Sequence, residues 1–300
     1  MITTETLRAS LAEHWDLSGA QVRPHGGGMN SATWLVKSGG QRWVAKAVPP
    51  AARTRFTGGL AVADRLERSG VPAGAPMPTS DGQVVVTVAG CPLALLAWVP
   101  GVELTGQGPE EQRLIGRTLG RLHRALTEVH VPGTERFHWV DPTAEHLGVC
   151  DWIRPAVTAA VRELDDLRSE TLSWGLLHTD PAPEAFRLDH ATGTCGVIDW
   201  SVALAGPLLY DLASAVMYVG GAGRAGELVE AYLGQDVLDR TEMERGLLPM
   251  LRFRWAVQAD YFARRIVEDD RTGVSGPEDN EKGLADARRR LVDGWQLGGD

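Results

Sequence analysis

Apolar residues near the start of the chain first recur at helical spacing and then alternate as they do in strands. Residues 3–15 place Leu7, Leu11 and Trp15 on one face, which predicts a helix capped by Thr3 or Thr4. Four later stretches have the composition of strands, at residues 33–36, 42–48, 83–88 and 92–98. The first pair predicts a hairpin, and residues 56–68 between the two pairs predict a helix that ends at Gly70.

Beyond residue 101 the spacing is mainly helical. It predicts helices over residues 110–126, 154–170, 208–219, 224–233, 241–268 and 280–296. Two short apolar runs interrupt them, at 176–178 and 195–198, and we expect these to be strands that pair across the turn at 189–193. Strands followed by helices are typical of an α+β protein with two lobes. We expect the lobes to span residues 1–97 and 98–300.

The composition excludes several classes of function. Of the 300 residues, 43% are apolar and 23% are charged, which is ordinary for a globular protein. A net charge of −9, without any cluster of five basic residues, argues against nucleic acid as a partner. The N-terminus does not resemble a signal peptide, and no run of about 18 apolar residues predicts a membrane span. We therefore expect a cytoplasmic protein with no membrane partner and no obligate protein partner.

Two aspartates each follow an apolar run that is predicted to be a strand. Asp180 ends the segment WGLLHTD, and Asp199 lies in GVIDW, with a loop between them that contains Pro181 and Pro183. Two neighbouring carboxylates repel each other unless a cation or a proton lies between them, and Mg²⁺ is bound by such carboxylates together with phosphate oxygens. The spacing is also compatible with an ordinary loop residue and a helix cap.

A lysine and a glycine-rich turn in the N-terminal part add to this pattern. Lys46 shares a strand face with Val44 and Val48, so it is either the gatekeeper of an edge strand or a buried cation that needs an anionic partner. The turn HGGGMNS at residues 25–31 precedes a strand. Its backbone N–H groups can approach a phosphate closely, although such a turn is also typical of a plain hairpin.

The order of these features resembles the aminoglycoside phosphotransferase family, which has the protein-kinase fold. The segments that carry the resemblance are LHTD (177–180), GVIDW (196–200), GPLLYDLASAV (206–216), LGRLHRAL (119–126) and LLAWVPGVEL (95–104). The resemblance covers nearly the whole chain. It implies a small N-terminal nucleotide-binding lobe, made of a β-sheet plus a helix, and a larger, mainly helical C-terminal lobe for catalysis and substrate binding.

The resemblance also implies an activity. The expected enzyme uses ATP (or GTP) and Mg²⁺ to move the γ-phosphate to a hydroxyl of a small cationic molecule, such as an aminoglycoside or a related antibiotic, and so confers antibiotic resistance. Two alternatives stay open. One is a kinase of the same fold that acts on choline, homoserine or a sugar. The other is a catalytically weak protein that binds nucleotide or ligand.

Roles for individual residues follow from the same resemblance. Asp180 would orient the acceptor hydroxyl and accept its proton, Asp199 would bind Mg²⁺, and Lys46 would hold the α- and β-phosphates. The residues expected to cover the phosphates and to bind adenine through the backbone are Gly27, Gly28, Ser31, Ala97 and Val99. The residues expected to brace the catalytic loop or to be structural are His178, Asp211 and His123.

The sequence departs from the family pattern in two regions. In the catalytic loop, Ala185 replaces the asparagine that binds a second metal ion, and Thr179 replaces a glycine. Glu184 is either the substitute metal ligand or a solvated loop residue. In the helix at 56–68, residues 59–61 stand where the glutamate partner of the strand lysine is expected. These departures are the support for the alternative of weak catalysis.

The acceptor is expected among the C-terminal helices, against acidic and aromatic side chains. The candidates are Asp260, Tyr261, Asp269 and Trp255. Taken singly, each has a structural explanation as well, because Trp255 can pack in a core and Asp269 can be part of a solvated helix end.

Overall fold

The computed structural model describes residues 2–26, 31–137 and 140–294. The chain divides into two compact units. The first consists of Met1–Val102, His130–Glu135 and Arg187–Leu204, and the second of Glu103–Val129, Arg136–Phe186 and Ala205–Asp300. The segment that carries Asp199 thus belongs to the N-terminal unit, although it lies late in the sequence. The assignment of nucleotide binding to residues 1–97 and of catalysis to 98–300 stays a prediction.

The first unit is built on a five-stranded antiparallel sheet in the order β1-β2-β3-β5-β4. Its elements are α1 (Thr4–Trp15), β1 (Gln21–His25), β2 (Ala32–Ser38), β3 (Gln41–Ala47), α2 (Arg53–Arg68), β4 (Val86–Val88) and β5 (Cys91–Ala97). The predicted hairpin, the second pair of strands and both helices are confirmed. Strand β1 was not predicted, because only Val22 among its five residues is buried and the strand shows no apolar alternation.

One face of this sheet forms the main core of the unit. Trp34 and Val36 of β2 and Ala45 of β3 are buried there together with Leu7 and Leu11 of α1. The predicted capping of α1 is confirmed, since the Thr3 hydroxyl accepts a hydrogen bond from the Thr6 N–H at 3.1 Å. The alternation along β2 and β3 leaves the opposite face, which carries Lys46, for other contacts.

The second unit is mainly helical. Its helices are α3 (Pro109–Ala125), α4 (Ile153–Asp166), α5 (Leu208–Tyr218), α6 (Gly226–Leu233), α7 (Arg240–Val267) and α8 (Pro277–Arg288), the last followed by a π-helical turn at Arg289–Asp293. Helix α7 packs against α4, α5 and α8, and α3 packs against α6. The predicted helices are confirmed within a few residues at their ends, except that the helix predicted over 280–296 ends at Arg288 and continues only as the π-helical turn. Residues 295 and 296 of that prediction lie outside the described residues. Among the residues described, no helix is both long and apolar enough to cross a bilayer.

Short strands complete the chain and correct one expectation. They are β6 (Val102–Glu103), β7 (Glu135–Arg136), β8 (Trp174–Leu177), β9 (Phe186–Asp189), β10 (Thr194–Val197) and β11 (Leu204–Pro207). They form two three-stranded sheets, in the orders β10-β9-β6 and β7-β11-β8. The expected pairing of 176–178 with 195–198 is wrong, because the partner of β10 across the turn is β9 and β8 lies in the other sheet. Four residues, FRLD, were too few to reveal β9 by alternation.

Candidate active site

Lys46 lies in the interior of the N-terminal sheet. Strand β3 has neighbours on both sides, β2 and β5, and Lys46 is only 7% exposed. Its ammonium group donates a hydrogen bond to Oδ1 of Asp199 and another to the Ser201 hydroxyl at 3.1 Å. The interpretation as a buried cation with an anionic partner is therefore right, and the interpretation as an edge-strand gatekeeper is wrong.

Asp199 follows β10 at a sharp change in backbone direction. Its φ of 72° lies in the left-handed region, which aspartate tolerates better than most residues, and a 3₁₀ turn over Trp200–Val202 begins directly after it. Its carboxylate also accepts a hydrogen bond from the Ser201 hydroxyl at 2.7 Å. The side chain remains 52% exposed. A carboxylate held at a buried ammonium group on one side thus still faces solvent on the other.

Helix α2 has no room for a side chain at Gly59, one of the positions where the glutamate partner of the lysine is expected. A Cβ atom at Gly59 would overlap the backbone carbonyl oxygen of Trp200, and one at Gly58 would lie 2.6 Å from the carbonyl oxygen of Gly133. The helix therefore packs backbone against backbone on the turn that follows Asp199. The nearby acidic side chains are engaged elsewhere, Asp64 with Arg68 at 2.8 Å and Glu67 with backbone N–H groups. Asp199 takes the position of ionic partner to Lys46.

A row of three apolar side chains lies next to Lys46 on the same sheet face. Leu35, Val44 and Leu96 face one another in the register of β2, β3 and β5, and each is half-buried. Lys46 is two residues along β3 from Val44 and so points to the same side. The sequence analysis missed this row. The signal that reveals it is the pairing register, which a single strand does not show.

The other residues expected at the nucleotide have mixed outcomes. The N–H of Ala97 donates to the Ala75 carbonyl at 2.8 Å, so that donor is already in use. The buried side chain of Val99 lies in the same unit as β10, where a Cβ at Gly196 would be 2.7 Å from it. Ser31 is half-buried. Gly27 and Gly28 lie outside the described residues.

The loop that carries Asp180 is held by a buried aspartate of the second unit. Asp211, in the first turn of α5, is fully buried and accepts hydrogen bonds from the N–H groups of His178 and Thr179, both at 2.7 Å. The Nδ1 atom of His178 in turn accepts from the Asp180 N–H at 3.3 Å. The bracing roles predicted for His178 and Asp211 are thus confirmed.

Two further features support this loop. The buried ring of His123 bridges Asp211, at 3.1 Å from Nε2, and the Tyr232 hydroxyl, at 2.7 Å from Nδ1, so it is structural as predicted. Thr179 has a φ of 73°, a conformation that a β-branched residue rarely adopts. That value gives the physical reason why a glycine suits this position in the family pattern.

The Asp180 carboxylate has two partners that the sequence analysis missed. The Tyr218 hydroxyl, at the end of α5, and Nη2 of Arg254 in α7, at 3.2 Å, both donate hydrogen bonds to its Oδ1. The side chain of Asp180 is nevertheless 53% exposed. Burial raises the pKa of the Tyr218 phenol above its ordinary value, and the Asp180 and Glu184 carboxylates add to this although Arg254 opposes it. Tyr218 therefore remains a neutral donor at physiological pH.

The four residues expected to bind the acceptor are occupied by neighbours within the second unit. Asp260 contacts Nε2 of His146 at 2.6 Å and Arg264 at 3.1 Å, and Asp269 contacts Arg271 at 2.8 Å. The remaining two contact arginines or pack in a core: Tyr261 lies 3.3 Å from Arg265, and Trp255 packs against the α4–α7–α8 cluster under Arg290. Both carboxylates among the four are thus paired with a cation.

The comparison with known families identifies the chain. The profile of the phosphotransferase enzyme family matches residues 21–245, from β1 into α7. The chain belongs to the phosphotransferase enzyme family. The loop with Asp180, its support by Asp211, and the pair of Lys46 with Asp199 all lie within the matched region of this phosphotransferase.

Similar proteins include several kinases of small molecules. A homoserine kinase of Sinorhizobium fredii is 28% identical over 162 residues, which cover 51% of the chain and 49% of that relative. The chain thus spans about half the length of this relative. The structure of a microcompartment-associated aminopropanol kinase has a TM-score of 0.74 at 21% identity, covering 96% of this chain and 98% of the other. An amicoumacin kinase in complex with AMP-PNP and Ca²⁺ has a TM-score of 0.72 at 17% identity, covering 97% and 93%.

These likenesses confirm the fold class. The small antiparallel sheet with its helix and the mainly helical second unit match the protein-kinase-like architecture of the two solved structures. Because both identities are below 25%, these two structures show the fold of the chain and do not show its substrate.

Proposed function

We propose that the protein is an ATP-dependent O-phosphotransferase. Its acceptor is a small hydroxyl compound that bears an amino group, and the preferred acceptor is a hydroxy amino acid of the size of homoserine. The observation that carries the proposal is the ion pair between Lys46, buried in the sheet, and the half-exposed Asp199. A buried lysine attracts phosphate oxygens, and the carboxylate beside it suits a metal ion that phosphates share.

The nucleotide half of the proposal rests on the N-terminal unit. The apolar row of Leu35, Val44 and Leu96 offers a flat surface for a purine on the face that carries Lys46. Backbone groups near Val99 would bind the edge of the base. Similarity to a kinase solved with AMP-PNP supports ATP as the donor.

The residues present fit a magnesium ion that the nucleotide helps to bind. Among the described residues, no group of three or more His, Cys, Asp or Glu side chains could hold a metal ion by itself. Mg²⁺ is commonly bound by one or two carboxylates plus phosphate oxygens, so the Asp199 carboxylate suffices as its anchor. Glu184, exposed in the 3₁₀ turn Pro183–Ala185, is the proposed second carboxylate. When bound, the ion neutralises charge on the phosphates during transfer.

The chain's own residues then act by positioning. Lys46 holds the α- and β-phosphates, and Asp180 accepts a hydrogen bond from the acceptor hydroxyl. As the acceptor oxygen forms its bond to the γ-phosphorus, the bond from that phosphorus to the ADP oxygen breaks. The hydroxyl proton passes to Asp180 and from there to water.

The charges of the second unit favour a small acceptor over a polycation. Asp260 and Asp269 already pair with His146, Arg264 and Arg271, and the group next to Asp180 is the cation of Arg254. A polyamine that used Asp260 or Asp269 would have to displace these cations first. An amino acid or amino alcohol, which carries a single ammonium group, therefore suits the second unit better than an aminoglycoside.

An acceptor panel tests the proposal. The purified protein, with ATP and Mg²⁺, would be assayed for ADP release and for a phosphorylated product with homoserine, aminopropanol, choline, a hexose and kanamycin. We expect the highest kcat/KM for homoserine or another hydroxy amino acid, and no turnover by Asp180→Asn. A preference for kanamycin, or full activity of Asp180→Asn, would contradict the proposal.

A further inference from the structure

We propose that Tyr218 and Arg254 are positioning residues that hold one oxygen of the Asp180 carboxylate, so that its other oxygen is presented to the acceptor hydroxyl. This inference rests on the proposed function, in which Asp180 receives that hydroxyl. The observation behind it is an asymmetry in the bonds to the carboxylate. Both side-chain donors, the Tyr218 hydroxyl and Nη2 of Arg254, donate their hydrogen bonds to the same oxygen, Oδ1.

The second oxygen of Asp180 is left for a ligand. Within the described part of the chain, no side chain other than Tyr218 and Arg254 donates a hydrogen bond to this carboxylate, and 53% of the side chain is exposed. A carboxylate without such donors rotates about its χ2 torsion, which is broad for aspartate. Two donors fixed to one oxygen restrict that rotation and so fix the direction in which Oδ2 points.

The donors are themselves rigid. Arg254 is 8% exposed in the middle of α7, and Nη2 also donates to the Tyr218 oxygen at 3.4 Å, so the three groups form a closed network. The guanidinium carbon lies 5.9 Å from the centre of the Tyr218 ring. Burial disfavours the Arg254 cation, but the contacts with Tyr210, Tyr218 and Asp180 outweigh this and raise its pKa. Both donors thus keep their protons throughout turnover.

The arrangement has a consequence for catalysis. With Oδ1 held by both donors, Oδ2 accepts the hydrogen bond of the acceptor hydroxyl in a fixed direction. The fixed carboxylate therefore holds the acceptor hydroxyl in one orientation during the transfer. Loss of either donor should lower kcat and leave the affinities for ATP and acceptor nearly unchanged, because neither donor touches a substrate in this scheme.

Three variants test the inference. Tyr218→Phe removes one donor and keeps the ring, and we expect kcat to fall about tenfold, as the loss of one hydrogen bond of ordinary strength implies. Arg254→Met removes the second donor and its charge, and we expect a fall of about a hundredfold. Arg254→Lys restores a charge but not the fork geometry, and we expect it to recover part of the lost kcat.

The matched control is Arg252→Met. Arg252 lies two residues away in α7 and pairs with Glu163 of α4, so its loss affects packing of the same helix and has no path to Asp180. We expect a lower melting temperature with unchanged kcat. Arg254→Met is compared with Arg252→Met at a temperature where both variants are folded. If Arg254→Met does not fold, the kcat of Tyr218→Phe, the smallest change, tests the positioning role.

Different kinetic results would contradict the positioning role of Tyr218 and Arg254 and the proposed kinase function. If Asp180→Asn abolishes turnover while folded Tyr218→Phe retains the wild-type kcat, the positioning role is wrong and the proposed function stands. A rise of the acceptor KM at constant kcat would instead show direct substrate contact and would also overturn it. If Asp180→Asn itself is fully active, the proposed function fails first.

Discussion

At the scale of single residues, the position of Lys46 is informative because lysine is scarce in this chain. The sequence contains only Lys37, Lys46 and Lys282, against a much larger number of arginines. Lys46 is the buried one, and its compact ammonium group reaches both Asp199 and Ser201. Arginine presents a planar fork of donors in place of this compact ammonium group, so the two side chains are not interchangeable at such a contact.

Loss of Lys46 should weaken nucleotide binding more than it weakens the fold. In Lys46→Ala the half-exposed Asp199 carboxylate regains water, so we expect a loss of about 1 kcal/mol in the free energy of unfolding. We expect the Kd for ATP to rise at least tenfold, as removal of a charge-assisted phosphate contact implies. Calorimetric titration with ATP and Mg²⁺, together with thermal melts, checks both.

The control for this prediction is Lys37→Ala. Lys37 lies on β2 opposite Arg42, and it is exposed. Its loss should change neither the ATP affinity nor the stability. Equal ATP affinities in the two variants would remove Lys46 from the proposed phosphate site.

The loop residue Thr179 shows how a single position stores strain. A β-branched side chain at a φ of 73° costs of order 1 kcal/mol, and the hydrogen bond from its N–H to buried Asp211 holds it there. The neighbouring Asp180 is thereby kept in a fixed place at the start of the loop. The sequence indicated that a glycine was replaced, and only the backbone showed what conformation the replacement must adopt.

At the scale of elements, the contact of α2 with the turn after Asp199 depends on a missing side chain. We expect Gly59→Ala to lower the free energy of unfolding by about 2–3 kcal/mol, because its Cβ would overlap the Trp200 carbonyl and either the helix or the turn must move. Movement of the turn would also disturb the pair of Asp199 with Lys46, so activity should fall with stability. Denaturant unfolding and the kinase assay measure the two effects.

Gly226 provides the comparison for Gly59. It is the first residue of α6, and a Cβ atom there meets nothing within 4 Å. Gly226→Ala should therefore be neutral or stabilising by about 0.5 kcal/mol, because alanine restricts the unfolded chain. If both substitutions proved equally harmless, the close packing of α2 would be wrong.

The start of α3 predicts a dependence of stability on pH. The Glu111 carboxylate accepts hydrogen bonds from the Thr105 hydroxyl at 2.7 Å and from the N–H groups of Thr105 and Gly106 at 2.8 Å. The bond from the Thr105 hydroxyl is the largest cause of the lowered pKa of Glu111. A lowered folded pKa stabilises the protein above the ordinary glutamate pKa, and this stability is lost as the pH falls through the folded pKa.

Glu111→Gln should accordingly lower the free energy of unfolding by about 1 kcal/mol at pH 7, since the side chain is partly exposed. The difference from the wild type should shrink as the pH falls through the lowered pKa of Glu111, where the folded wild-type carboxylate takes up its proton. Urea unfolding between pH 3 and 7 measures it. Glu110→Gln, which removes only the exposed pair with Arg113, should show no comparable pH dependence, and equal curves for both variants would contradict the account.

At the scale of the whole molecule, a net charge of −9 does not describe the surface that a ligand meets. Many carboxylates of the second unit pair with arginine or histidine, including Asp260 with His146 and Arg264, and Asp270 with Arg265 at 2.9 Å. The long-range attraction for a cation is therefore weaker than the sum of charges implies. The family resemblance implied a small cationic acceptor such as an aminoglycoside, and the pairing of individual side chains favours one with fewer positive charges.

The sequence by itself determined the order of the elements, the family and the residues that motifs carry. Helical periods and strand alternation are local signals, and α1 to α8 and the strands β2 to β5 followed from them. The supporting roles of His178 and Asp211 followed from the resemblance that segments such as LHTD and GPLLYDLASAV carry. These signals depend on neighbours within a few residues of each other, and a single chain displays them directly.

The tertiary structure alone decided which distant residues meet. It paired Lys46 with Asp199 across 153 positions, aligned Leu35, Val44 and Leu96 by strand register, and brought Tyr218 and Arg254 to Asp180 from two helices. It also replaced the expected pairing of β8 with β10 by that of β9 with β10. The physical reason is that these contacts depend on strand register and helix packing, which are set by the free energy of the whole fold and leave no periodic mark on the sequence.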